Sequence, residues 1–211
     1  VAAYLMNALD APCACYPSYA FSPTFGSTTY DDGWMERYQC GYDVIELCEG
    51  KYKGRRCTRE IFDEVRRDQP ECLTVCYVMQ DKDVDMAFRH PNVMLGSDGI
   101  MNDGQGHPRA AGAFPRLLAE FVRPGKLPLY EAVRMMTAMP AQRLGLRNKG
   151  ALHVGADADV VIFDPEKVAD RATFMEPTLP PVGIDSVWIG GQLAARDCKI
   201  VCGSLGRSVR K

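Results

Sequence analysis

The chain has little of several things that would declare a function outright. It has no excess of charge, since 25 Lys and Arg stand against 27 Asp and Glu for a formal net charge of −2. No like-charge run builds a field that would recruit nucleic acid or an anionic membrane, so a small molecule is the expected partner. It has no long apolar run either: the stretch around residues 159–163 falls far short of the ~20 residues a spanning helix needs, and a soluble protein is expected. Its nine cysteines include no Cys-x-x-Cys pair. An odd count at irregular spacing, in a chain long enough to bury a core, argues against both a zinc ribbon and a disulfide framework. Reduced thiols in a cytoplasmic setting are expected, serving as small buried apolar groups; Cys72 and Cys76, an even number apart in a β-like run, should share one face. The opening Val-Ala-Ala-Tyr-Leu-Met-Asn carries neither a basic n-region nor an initiator methionine, and reads as an internal point of a longer chain.

What is present suggests two regions. At 211 residues and 46% apolar the chain can form one ordinary domain, or part of a barrel enzyme with an appendage. Residues 1–38 are rich in Pro, Ser, Tyr and Gly and read as a long loop after a short helix at 2–9. A short strand is expected at 42–47, then a capped amphipathic helix from Thr58 with Ile61, Phe62 and Val65 inward, and a mostly apolar strand over 72–79. Next come a short helix ending at Arg89 and an apolar strand, Asn92-Val-Met-Leu-Gly. Helix, strand, helix, strand is the order of a parallel α/β sheet. Helical spacing over 113–122 and 129–139, with another short helix from Pro140, ends that part. From Gly150 onward short β segments broken by Gly and Pro have no matching helices, which marks a separate small β region.

Ser97-Asp98-Gly99 lies directly after the buried strand over 92–96, so the Asp98 carboxylate sits at the C-terminal edge where parallel sheets and barrels place their active sites. A carboxylate there can take a proton from an attacking water and return it to a leaving nitrogen. By itself, Asp-Gly after a strand reads more readily as a turn. The loop beyond Gly99 tips the balance toward catalysis.

Ser97-Asp98-Gly99-Ile100, Gly106-His107-Pro108-Arg109, Gly112 and Phe114-Pro115-Arg116 stand in that order. Downstream come Glu131-Ala-Val-Arg-Met-Met-Thr-Ala-Met-Pro-Ala, Leu144-Gly-Leu, Lys149-Gly-Ala-Leu-His-Val-Gly-Ala-Asp-Ala-Asp-Val-Val-Ile-Phe-Asp-Pro and Gly183-Ile-Asp-Ser-Val-Trp-Ile-Gly-Gly. Together these resemble the D-aminoacylase branch of the metal-dependent amidohydrolase superfamily, over about residues 90–205. The resemblance implies the C-terminal strands and helices of a TIM-like (β/α)8 barrel over 1–148, with a long loop insertion at 1–40, plus part of a small β-sandwich over 149–211. It makes Asp98 the end of the eighth barrel strand and 72–79 the seventh.

The same resemblance implies zinc-dependent hydrolysis of the amide bond of N-acyl-D-amino acids. Asp98 would be the proton-transfer residue and one metal ligand, and Arg109 would hold the substrate carboxylate, for which a planar two-pronged guanidinium is suited. Tyr16-Pro17 and Ser22 resemble the family's Tyr-Pro-Tyr-x-Ala-x-Ser element, with Ser18 in place of the second tyrosine and Pro23 in place of a threonine, and would line the substrate pocket. An ordinary Tyr-Pro loop is the alternative. His107 would orient Asp98 or the loop, or cap a helix, and Arg116 reads as a structural ion-pair residue. The chain has only three histidines, His90, His107 and His153. At those places they cannot form a tetrahedral centre, so the one or two zinc ions would be held mostly by residues outside this chain. A missing N-terminal part, or a complementary chain, is therefore the implied protein partner. A cyclic-amide or other C–N hydrolase, and a non-catalytic fragment or subunit, are the alternatives.

Overall fold

The computed structural model describes residues 11–102 and 104–209; the helix expected at 2–9 lies outside them. Among these residues the expected long loop begins with a strand, β1 (Cys13–Cys15), and contains the short helix α1 (Trp34–Tyr38). β2 (Ile45–Leu47) occupies the end of the run expected as a strand, whose first residues form a 3-10 turn. Then come α2 (Arg59–Asp68), β3 (Thr74–Cys76), α3 (Asp81–Phe88) and β4 (Val93–Leu95). Thr58 caps α2 by accepting the Ile61 N–H at 3.4 Å, and Ile61, Phe62 and Val65 point inward as the 3.6-residue period requires.

The pairing of these strands corrects the sequence expectation. β4 has a parallel neighbour, and it is β1, with Cys13, Ala14 and Cys15 opposite Val93, Met94 and Leu95. The segment expected beside β4, residues 72–79, instead contributes β3, which runs antiparallel to β2 and bridges antiparallel to Phe21 and Thr24. Apolar runs of this length are equally compatible with either direction of pairing, so the helix–strand order could not distinguish them.

Two cores result. One gathers Phe25, Tyr30, Trp34, Ile45, Leu47, Phe62, Cys57, Cys72 and Cys76 around β2, β3 and α2. Cys72 and Cys76 do share a buried face, and all nine thiols are free. The other packs β4 and α3 against later helices: α4 (Arg109–Leu117), prolonged by a π-helical turn over Leu118–Val122, and α5 (Leu129–Met136). The short β5 (Met101–Asn102) and β6 (Gln105–Gly106) form a small hairpin between β4 and α4, and α6 (Ala138–Leu144) closes the helical part.

The last region is an antiparallel sheet. β7 (Val160–Phe163), β8 (Ile184–Ile189), β9 (Gln192–Arg196) and β10 (Lys199–Ile200) form one sheet in the order β10-β9-β8-β7. Its acidic Gly-Ala-Asp-Ala-Asp motif is structural. Lys149 pairs with both Asp157 and Asp159, and Asp159 also accepts the Gly190 N–H at 2.8 Å, fastening the β8–β9 turn. No helix among the described residues is long and apolar enough to cross a membrane.

Candidate active site at the end of β4

Parallel pairing sets the C-terminal ends of β1 and β4 side by side. Tyr16 leaves one and Ser97-Asp98 leaves the other, so two residues far apart in sequence reach the same edge. Asp98 adopts a left-handed conformation, φ 47°, which Asp tolerates better than most residues. Gly99 then packs on the start of α4, where an added Cβ would lie 2.4 Å from the Ala110 Cα. The Asp-Gly is indeed a turn, but one that projects a carboxylate: the Asp98 side chain is 68% exposed.

Arg109 binds Asp98 twice. Its Nη2 lies 2.7 Å from Oδ2, and its Nε donates to the Asp98 carbonyl at 2.9 Å. The guanidinium carbon sits 4.0 Å from the centre of the Tyr16 ring, a cation–π contact that holds the fork against the aromatic face. The third nitrogen, Nη1, is enclosed with no hydrogen-bond partner. Tyr16, pushed to a higher pKa by burial and only partly relieved by Arg109, keeps its phenol proton and points its hydroxyl to the Met79 sulfur at 3.8 Å.

His107 ties the two loops together. It is 3% exposed; its Nδ1 accepts the Arg109 N–H at 3.0 Å, which leaves Nε2–H to donate to the Ala20 carbonyl at 3.0 Å. Burial, opposed by the Ala20 bond and reinforced by Arg109 and Arg116, depresses its pKa to about 4, so the ring is neutral at pH 7. His107, expected to orient Asp98 or the loop or to cap a helix, bonds through its ring to the Arg109 and Ala20 backbones. Ser22 is not drawn into the group: its Oγ is buried and without a hydrogen-bond partner. Arg116 reaches Asp170 at 3.0 Å and Glu120 at 3.6 Å, the structural ion pairs expected of it. Gly112 permits the Asp170 approach, since a Cβ there would lie 2.1 Å from the carboxyl carbon.

The residues present do not fit a metal centre. Among the described residues no three His, Cys, Asp or Glu side chains gather where they could hold an ion. Both ring nitrogens of His107 are committed to the backbone, which leaves Asp98 as a single oxygen donor where zinc needs three or four ligands. The buried thiols of Cys48, Cys57 and Cys76 lie in apolar clusters and do not gather with other ligands.

A cavity of about 190 Å³ opens behind Arg109 and His107 and is closed by Ala172, Thr173 and Phe174 from the linker between β7 and β8. The Phe174 ring packs edge-on against His107 at 4.8 Å between centroids. This wall was not legible in the sequence.

The amidohydrolase family profile matches residues 83–195, more than half of the chain, and the chain belongs to that family. The N-acyl-D-glutamate deacylase of Alcaligenes xylosoxydans xylosoxydans is 46% identical over 118 residues, 56% of this chain and 24% of that protein. The D-aminoacylase of the same organism is 42% identical over 152 residues, 72% and 30% respectively. A crystal structure of D-aminoacylase superposes on all of this chain, using 46% of that one, with a TM-score of 0.84 at 29% identity. The N-acyl-D-glutamate deacylase of Bordetella bronchiseptica, solved with zinc and a phosphonate mimic of the tetrahedral intermediate, gives 0.76 at 32% identity over 94% of this chain and 44% of that one. The chain thus spans 24% and 30% of these two curated relatives and just under half of the two solved ones. The expected α/β fold class, followed by a β unit, is borne out.

Proposed function

We propose that this chain is the C-terminal part of the barrel and β-sandwich of a longer enzyme that hydrolyses the amide bond of N-acyl-D-amino acids. The observation that carries the reading is the meeting of Asp98, Arg109 and Tyr16 at adjoining ends of two parallel strands, in a chain of this family. Asp98, exposed at that edge, takes the proton of the water that adds to the amide carbonyl and delivers it to the nitrogen as the C–N bond breaks. Arg109 holds the substrate carboxylate with the Nη2 that Asp98 occupies otherwise. Tyr16 keeps the guanidinium in place, and His107 joins its loop to Ala20. Zinc belongs to this reading mostly through ligands outside the chain, because the described residues do not make a site for it.

Two experiments test the proposal. Hydrolysis of an N-acetyl-D-amino-acid panel by the full-length, zinc-loaded enzyme is expected, and undiminished turnover in Asp98→Ala would remove that residue from the mechanism. A second reading, a subunit that needs a complementary chain, is favoured by the share of its relatives that the chain spans. It predicts that the purified 23.4 kDa chain has neither metal nor activity until the N-terminal part is supplied.

A further inference from the structure

We propose that Arg109 restrains Asp98 in the free enzyme and that the carboxylate of the substrate, by taking the guanidinium, releases it for proton transfer. This rests on the deacylase reading and adds a condition to it. The substrate's carboxylate then serves turnover as well as binding.

The two partners are held unequally. The Arg109 side chain is 12% exposed and that of Asp98 is 68% exposed. The guanidinium is fixed: its carbon lies 4.0 Å from the centre of the Tyr16 ring, its Nε donates to the Asp98 carbonyl at 2.9 Å, and the Arg109 N–H donates to the buried His107 ring at 3.0 Å. The Asp98 backbone is fixed as well, by that carbonyl bond and by the close packing of Gly99 on Ala110. What can turn is the Asp98 carboxylate, tied to Arg109 by the contact of Oδ2 with Nη2 at 2.7 Å. A second carboxylate arriving at Nη2 displaces the first by rotation of one side chain, and the loop stays where it is.

The exchange is electrically balanced, because one anion replaces another on the guanidinium, and repulsion between the two drives Asp98 off the fork. Once released, both Asp98 oxygens are available to the attacking water. The carboxylate takes the water's proton as the O–C bond forms and passes it to the nitrogen as the C–N bond breaks. An ion pair this exposed is weak, so it restrains Asp98 by roughly fivefold and does not block it. Arg109 is thereby a positioning residue for the chemical step, acting through Asp98.

The test compares N-acetyl-D-leucine with N-(3-methylbutyl)acetamide, the same amide without its carboxylate, as substrates of the full-length, zinc-loaded enzyme. The analogue should show a kcat lower by at least about fivefold, in addition to a higher KM. Added formate, a free carboxylate that fits the guanidinium, should raise the analogue's kcat saturably by about fivefold. Arg109→Met should lower kcat/KM on N-acetyl-D-leucine by at least about a hundredfold, yet raise kcat on the analogue by about fivefold because Asp98 is no longer held. Arg109→Lys, which keeps a cation beside Asp98, should leave the analogue slow. A guanidinium that only binds substrate predicts no gain on the analogue in Arg109→Met. The formate measurement uses the unaltered enzyme and decides alone should Arg109→Met not fold. An analogue turned over with the kcat of N-acetyl-D-leucine, one that formate does not speed, or one that a folded Arg109→Met does not speed overturns the inference and leaves the deacylase reading intact. Hydrolysis of none of a panel of N-acetyl-D-amino acids by the unaltered enzyme overturns both.

Discussion

The aromatic core around β2, β3 and α2 and the edge formed by β1 and β4 are built on opposite principles. In the core, Trp34 stacks on Phe62 at 5.8 Å, Phe25 and Tyr30 meet Phe62 edge-on at 5.5 and 5.7 Å, and the Tyr30 hydroxyl is satisfied. Tyr30 donates to Thr74 Oγ1 at 2.7 Å, which donates in turn to the Pro23 carbonyl at 2.7 Å. At the edge, a carboxylate stands exposed on a left-handed residue and a guanidinium nitrogen is buried without a partner. The core spends its residues on burial and stiffness. The edge keeps unfulfilled bonding capacity for a ligand, a common trade between stability and function.

Four substitutions or titrations would break or sharpen this contrast. The largest effect is expected from Phe62→Ala, which removes the ring that meets Phe25, Tyr30, Trp34 and Tyr42. Unfolding in denaturant should show a loss of about 3–5 kcal/mol, with turnover per folded molecule largely kept. Next comes pH. The His107 ring, with a folded pKa of about 4 against an ordinary 6.5, binds its proton later than the unfolded chain does as pH falls. Stability tied to this group is therefore complete above pH 6.5 and falls as pH drops toward 4, by about 3 kcal/mol across that window. A His107→Gln variant should flatten that part of the stability profile.

Asp98→Asn should do the reverse of Phe62→Ala. Asparagine tolerates the left-handed conformation, and the lost ion pair is largely exposed, so stability should change by under about 1 kcal/mol. Turnover of the full-length enzyme should fall by at least about a hundredfold. The smallest effect is expected from Tyr30→Phe, which removes one hydroxyl from the Tyr30–Thr74–Pro23 chain; thermal melts should report about 1 kcal/mol and activity assays no change. Equal effects on stability and turnover across these variants would erase the distinction between the two regions.

Much of the helical structure was legible because its signals are local. Thr58 caps α2 where expected, and its three inward residues come from spacing alone. The position of Asp98 beyond a strand was legible because a Ser-Asp-Gly after an apolar strand, succeeded by the His-Pro-Arg loop, is a compact sequence feature. Strand pairing was not. β1 is three residues inside a Pro- and Tyr-rich stretch, and its partner lies far along the chain, so no local pattern distinguished it from a loop or placed 72–79 in a different sheet.

The sequence by itself therefore determined the residue types at the site, the helix faces, the change to a β region after Gly150 and the shortage of metal-ligating histidines, all of which depend on composition or on neighbours along the chain. Only the tertiary structure decided that Arg109 closes on Asp98 over the Tyr16 ring, that His107 stays neutral because it is buried between two backbone groups, and that Phe174 walls the cavity. Most of these contacts join segments dozens of residues apart, set by parallel pairing of β1 with β4 and by the reach of the β7–β8 linker. Asp98 shows both kinds of information. Its place after a strand was written in the chain, whereas its guanidinium partner and the pocket beside it depend on how that chain packs.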